Sequence, residues 1–427
     1  MAEFYFNRRN GNPYLDLSSV REDSKERHLI LSLFSGAGGL DIGLENAGFQ
    51  TVGCIENDED CRETLKFNRP EWHIFDKDWF IDENGLKKSR EAGDIKSITS
   101  NEVMDELGVN KGEISLIVGG APCQPFSNIG KKEGVNDEEN GSLFLEFLRF
   151  VRDFRPKGFI FENVAGITQK KHKSVLEYMY QTFKDEGYEI SYEILNSANY
   201  GVPQRRERFF LIGLEGNVKP AFPLPTHYKD KESWKRFANN IYPLPNFSPK
   251  PWKTVGDAFS KIPYNKADNR KDFLQMKISK EVVERMKHIQ QGENFKVLPN
   301  EIRPNCWKNG KHQGNDTFGR LQDDLPSVTI RTSSYNPSKG RYIHPYENRG
   351  LNTFEMATLQ DFPYDWEFKV APGKRMSLKS IGMQIGNAVP PRLGKAIALS
   401  LKEQIEMYNR TIDLKKSRKP NKLLPDY

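Results

Sequence analysis

The stretch that most constrains this chain is Ile114-Ser115-Leu116-Ile117-Val118-Gly119-Gly120-Ala121-Pro122-Cys123-Gln124-Pro125-Phe126-Ser127. Its apolar first half, closed by two glycines, predicts a short buried strand. The second half sets a cysteine between two prolines just past the strand's end, on a loop with few backbone options. A thiol held stiffly at the carboxyl edge of a strand is where an α/β enzyme places a nucleophile. A lone cysteine is more often an inert core residue. Here the Gly-Gly pair, the flanking prolines and the polar Gln124 and Ser127 point instead to a functional loop.

Other runs of the same kind surround it. His28 to Leu33 predicts a strand that enters Phe34-Ser35-Gly36-Ala37-Gly38-Gly39-Leu40. Glycines at such a turn let a ligand approach the backbone and expose helix N-terminal N–H groups. The spacing is not that of the dinucleotide motif, because Asp41 stands where its third glycine belongs. Gly48 closes the helix, and Gln50 to Ile55 predicts the second strand, ending at Glu56, twenty positions after Gly36. An acid there is placed to accept hydrogen bonds from ribose hydroxyls. Gly158 to Phe161 predicts a strand that delivers Glu162-Asn163-Val164 to the edge that carries Cys123. Leu143, Phe144, Phe147, Leu148 and Val151 recur at helical spacing, as do Val175, Leu176, Met179, Tyr180 and Phe183. Tyr188 to Leu195 and Phe209 to Gly213 predict two more strands. Between them, alternation puts Arg206 and Arg208 on one face.

From about Val218 the prolines cluster and the strand–helix rhythm is lost, which predicts a separate, loop-rich domain. Residues 215–318 carry 19 Lys and Arg against 11 Asp and Glu, an excess larger than the net +6 of the whole chain. A basic segment beside a near-neutral one suits a polyanionic partner. The chain has no apolar run of about eighteen residues, so no membrane span or membrane partner is expected. Its start lacks a signal-peptide core, and its four cysteines have neither metal-ligand nor disulfide spacing. A cytoplasmic, metal-free enzyme is expected.

Pro122-Cys123-Gln124 followed by Phe126-Ser127 resembles the catalytic loop of the cytosine-C5 DNA methyltransferases. Further blocks resemble that family in its own order: the glycine turn, Glu162-Asn163-Val164, Gln204-Arg205-Arg206-Glu207-Arg208, and Gln384-Ile385-Gly386-Asn387-Ala388-Val389-Pro390-Pro391. The resemblance spans residues 29–405. It implies an α/β fold, with a Rossmann-like S-adenosylmethionine-dependent methyltransferase sheet and a second, smaller, irregular DNA-recognition domain.

Along the chain it implies an N-terminal extension over 1–27, read as irregular, and a catalytic and cofactor domain over 28–216. A target recognition domain over 217–350 follows, then a hinge and return over 351–410 and a basic, disordered tail over 411–427. The loop from Gly130 to Gly141 would close over DNA. Residues 70–92 look longer than the family's usual connection and receive no role.

The implied catalytic residues are Cys123, Glu162, Arg206 and Arg208. The implied cofactor contacts are Phe34, Ser35, Gly36, Gly38, Gly39, Leu40, Glu56, Asn57, Asp94, Ile95, Pro122, Leu143, Asn387 and Val389. The cofactor is S-adenosylmethionine, with S-adenosylhomocysteine as product. The partner is double-stranded DNA, acted on by a monomer, with a cognate restriction endonuclease working on the same site without a stable complex. Two other readings carry weight: an RNA cytosine methyltransferase of the same fold, and a DNA-binding protein without catalysis. The large segment between Gly213 and Arg320 argues against the first, and the joint presence of Cys123, Glu162 and Arg208 against the second.

Overall fold

The apolar runs become strands because each is short, ends in a turn, and can be covered on both faces. The structure, a computed structural model, describes residues 3–17, 27–81, 84–121, 142–243, 245, 248–267, 270–308 and 314–417. The strands β1 (His28–Leu33), β2 (Phe49–Ile55), β3 (His73–Ile74), β4 (Leu116–Gly119), β5 (Gly158–Val164), β6 (Tyr188–Asn196) and β7 (Glu207–Glu215) form one sheet. Its order is β3-β2-β1-β4-β5-β7-β6. The strands β1 to β5 pair in parallel, and β7 lies antiparallel between β5 and β6.

Alternation then divides the side chains between two cores. Leu31, Leu33, Ile117, Phe159, Phe161, Phe209 and Leu211 face one core, with the helices α3 (Ser100–Leu107), α4 (Ser142–Phe154) and α5 (Lys173–Asp185) over them. Ile30, Leu116, Val118, Ile160, Phe210 and Ile212 face the other, under α1 (Gly39–Glu45) and the C-terminal helix Pro391–Ser417, while α2 (Glu59–Asn68) follows β2. Each fully buried side chain of this kind contributes about 1.5–3 kcal/mol. The second layer needs bare backbone to close. A Cβ on Gly39 would stand 2.4 Å from the Val389 carbonyl oxygen, and one on Gly43 2.3 Å from that of Pro391. These two glycines seat the returning chain against α1.

The N-terminal segment departs from the irregular extension expected for 1–27. Phe4–Asn7 and Pro13–Leu15 pair antiparallel, and join Ile241–Tyr242 on one side and Phe222–Pro223 on the other. Tyr5 and Tyr14 are buried in the second core. Strands this short carry no usable period, and two of their partners lie more than two hundred positions away. The C-terminal helix also runs to Ser417, into the stretch read as a tail from 411. Within 70–92 the structure shows a small hairpin, Trp79–Ile81 against Lys87–Ser89.

The loop-rich segment folds without long ladders, so its carbonyls must find other donors. Arginines supply them. Arg320 donates to the carbonyls of Met286, Ile289, His344 and Glu347, Arg285 to Ile302, and Arg303 to Lys296 and Leu298. Met286, Ile289, Phe295, Leu298, Phe318 and Ile343 form a small core of their own there. Flanking stretches pack elsewhere: Val255, Phe259, Leu321 and Phe354 share a cluster with Ala37, Ile42 and Leu65 of the sheet-bearing half.

Candidate active site

At the carboxyl edge of the parallel strands, β1, β2, β4 and β5 end together, and β7 begins beside them. A cavity of about 520 Å³ opens there. Of the expected residues, Phe34, Ser35, Gly36, Gly39, Leu40, Glu56, Asn57, Asp94, Ile95, Leu143, Glu162, Arg208, Asn387 and Val389 line it. Pro122, Cys123 and the loop from Gly130 to Gly141 lie outside the described residues.

The turn after β1 is built from left-handed backbone. Phe34, Gly36 and Gly38 have φ of 54°, 54° and 81°, which costs a non-glycine residue such as Phe34. The Phe34 N–H is tied to the Ile55 carbonyl at 2.8 Å. Glu56, at the end of β2, accepts from the Gly36 N–H at 2.7 Å and the Asp58 N–H at 2.8 Å. A carboxylate offers roughly four lone-pair sites, so about two stay free for a vicinal diol. Burial pushes the Glu56 carboxyl above its ordinary range, against the pull of those two N–H groups. A nucleoside-bearing cofactor fits this cradle of glycine backbone, acid and aromatic edge.

Across the cavity, Arg208 Nε meets Glu162 Oε1 at 3.0 Å. The register explains the pair: Arg208 lies opposite Val164, and Phe210 opposite Glu162, so Arg208 and Glu162 are diagonal neighbours on one face. Glu162 is only 13% exposed, and burial raises its carboxyl above the usual range despite the opposing fields of Arg208 and Arg206. Its other oxygen rests on Gly120, where an added Cβ would stand 2.5 Å from Oε2. Gly120→Ala is therefore expected to fold, because the end of a side chain can swing away, while displacing the carboxylate. Thermal unfolding within a few degrees of wild type, with catalytic turnover lowered at least tenfold, is the expected result; full activity would break the link between Gly120 and Glu162.

Two expected residues do not reach the cavity. Arg206 and Arg208 were expected on one face, but β7 begins at Glu207, and strand alternation does not extend back to Arg206. The Arg206 side chain turns inward, 1% exposed, and donates to the carbonyls of Ile330 at 2.9 Å and Gly386 at 2.7 Å. Burial, with repulsion from Arg208, pushes it down to about 9. Gln204 accepts from the Ile330 N–H and donates to Gln360, which donates to the Ala388 carbonyl. Arg206 and Gln360 thus hold the carbonyls on either side of Asn387. Gly38 packs against Leu65 and Trp366 rather than facing the cavity.

Asn163 is a neighbour that the sequence reading left without a role. Its amide donates to the Ala121 carbonyl at 3.2 Å and its oxygen accepts from the Val164 N–H, so it anchors the last described residue before Pro122-Cys123. Only its adjacency to Glu162 could have marked it. Among the described residues no cluster of His, Cys, Asp or Glu could hold a metal ion, and no helix is long and apolar enough to cross a membrane.

Residues 29–403 match the family model of the C-5 cytosine-specific DNA methylases. The chain belongs to the C-5 cytosine-specific DNA methylase family. This methylase is 32% identical to the type II methyltransferase M.Sau96I of Staphylococcus aureus, over 93% of its own length and 80% of the relative's. With M.NgoFVII of Neisseria gonorrhoeae it shares 30% identity, over 92% and 93% of the two chains. Among solved structures, a prophage-encoded protein of E. coli described as a DNA modification methyltransferase superposes with a TM-score of 0.60 at 21% identity, covering 89% of this chain and 99% of that one. DNMT2 of Spodoptera frugiperda, as a mutant, gives 0.53 at 15%, covering 88% and 99%. These last two establish the fold: an α/β methyltransferase sheet of parallel strands with one antiparallel insertion. By family, the methylase is a DNA (cytosine-5-)-methyltransferase.

Proposed function

We propose that this methylase recognises a specific DNA sequence, takes its target cytosine out of the duplex, and methylates C5 through a covalent adduct of Cys123 with C6. The observation that carries the reading is the Glu162–Arg208 pair at 3.0 Å, lining one cavity with the glycine turn and Glu56. Cytosine C5 is a poor nucleophile, and addition of the Cys123 thiolate to C6 would push electron density towards it. Glu162, whose carboxyl burial raises above its ordinary range, would donate a proton to N3 and supply the positive character that the addition needs. Arg208 holds O2 and stabilises charge that develops on the ring. Held by the glycine turn and Glu56, S-adenosylmethionine would supply the methyl group from its cationic sulfonium, with S-adenosylhomocysteine as product. Loss of the C5 proton then expels Cys123. A base stacked in a duplex cannot be reached from above its plane, hence the flip.

Phe34, the glycine turn, Glu56, Asp94, Leu143, Asn387 and Val389 hold the cofactor, and Arg206 acts as a positioning residue for the Asn387 segment. Residues 28–216 carry the chemistry and 217–350 read the DNA, a division supported by the basic excess of residues 215–318. The chain works as a cytoplasmic monomer in a restriction–modification pair, on the same site as its endonuclease and without a stable complex.

The test is direct. Purified chain, duplex DNA and S-adenosylmethionine carrying a labelled methyl group should yield 5-methylcytosine at one sequence context, read by nucleoside mass spectrometry and methylation sequencing. Label found only on RNA, or at cytosine N4 or adenine N6, would overturn the proposal.

A further inference from the structure

Six acidic residues line the cavity: Asp41, Glu56, Asp58, Asp60, Asp94 and Glu162. Five have partners. Glu56 accepts from two backbone N–H groups, Asp58 from Cys61, Asp60 from Ala371 and Asp94 from Lys96, and Glu162 is paired with Arg208. Asp41 is different. It is 1% exposed, and neither of its oxygens has a hydrogen-bond partner. A buried carboxylate left unpaired is expensive, so a well-built interior avoids one unless something else supplies the charge.

We propose that Asp41 is the counter-charge by which this cavity distinguishes a cationic methyl donor from its neutral, demethylated product. The inference rests on the reading of the cavity as the S-adenosylmethionine site. The donor carries a sulfonium cation and the product a thioether, and a buried carboxyl beside them feels that single charge more strongly than it would in water.

The surroundings of Asp41 favour this role. The Ser32 hydroxyl on β1 and the Asp41 backbone N–H stand beside it and partly favour ionisation, without closing a hydrogen bond to either oxygen. From β2 the Cys54 thiol and Glu56 act on it, and from its own helix Glu45, itself held by Arg69 and Trp72. Asn387, Ala388 and Val389, the lining residues of the returning segment, carry no charge. No cation is among the strongest influences on it, and burial pushes its carboxyl up to about 7. Free protein below that pH therefore holds Asp41 neutral. A bound sulfonium favours the ionised form and releases the proton, whereas a thioether leaves it in place.

Calorimetric titration of the full chain with S-adenosylmethionine and with S-adenosylhomocysteine tests this. The ratio of donor to product affinity should rise with pH through about 7 and then level off. A gain of about tenfold corresponds to one unit of pKa displacement. In Asp41→Asn, which preserves shape, the ratio should be flat. Independently of any variant, wild-type titrations in two buffers of different ionisation enthalpy should show more protons released by the donor than by the product. Equal proton release, or a pH-dependent ratio that survives in Asp41→Asn, would overturn the role of Asp41 alone. Failure of both compounds to bind would overturn the cofactor reading, and this inference with it.

Discussion

Glu162→Gln is expected to lower the single-turnover rate of methyl transfer about 10²–10⁴-fold, the range that a positioned proton donor supplies. Glutamine keeps the size of the side chain and can still offer an N–H to the base, but it cannot hand over a proton. It also leaves Arg208 without the carboxylate now at 3.0 Å. The pH profile separates the two effects. Burial raises the Glu162 carboxyl, with Arg208 and Arg206 pulling the other way, so the protonated, active form is present at low pH. The wild-type rate should therefore fall as pH rises through that raised value, and this limb should be missing in Glu162→Gln. A variant rate within a few-fold of wild type would remove Glu162 from proton transfer.

Cys123→Ser is expected to abolish methylation and covalent capture together. On DNA carrying 5-fluorocytosine at the target, the wild-type thiolate should add to C6 and stay there, because fluorine cannot leave C5 as a proton does. Denaturing electrophoresis would show a protein–DNA adduct. A serine hydroxyl is hardly ionised at neutral pH and is a far weaker nucleophile, so the variant should form none. An adduct of equal yield in Cys123→Ser would put the nucleophile elsewhere. The loop that carries Cys123 begins at Ala121, whose carbonyl is held by Asn163. Asn163→Ala should consequently slow capture without removing it.

The central sheet was legible because its signals are local. An apolar run such as Leu29 to Leu33 closed by a turn can be read without knowing what covers it, and β1, β4 and β5 lie where those runs are. The helical stripe of α4 was legible for the same reason: Phe144, Phe147 and Val151 recur on one face and are buried. The strands Phe4–Asn7 and Pro13–Leu15 were not, because each is too short to show a period and their outer partners, Ile241–Tyr242 and Phe222–Pro223, lie more than two hundred positions away.

By itself, the sequence determined which residues stand at the carboxyl edge. Phe34, Glu56 and Glu162 each follow a predicted strand, and a parallel sheet gathers such ends at one edge. Tertiary structure alone decided where the side chains went from there. Arg206 and Arg208 are two positions apart in one charged run, yet Arg208 meets Glu162 while Arg206 is drawn inward by the carbonyls of Ile330 and Gly386. Those carbonyls lie 124 and 180 positions along the chain. A buried carbonyl takes whichever donor the packing brings to it, and the Asp41 carboxyl, brought none within hydrogen-bond reach, is left buried beside the cavity.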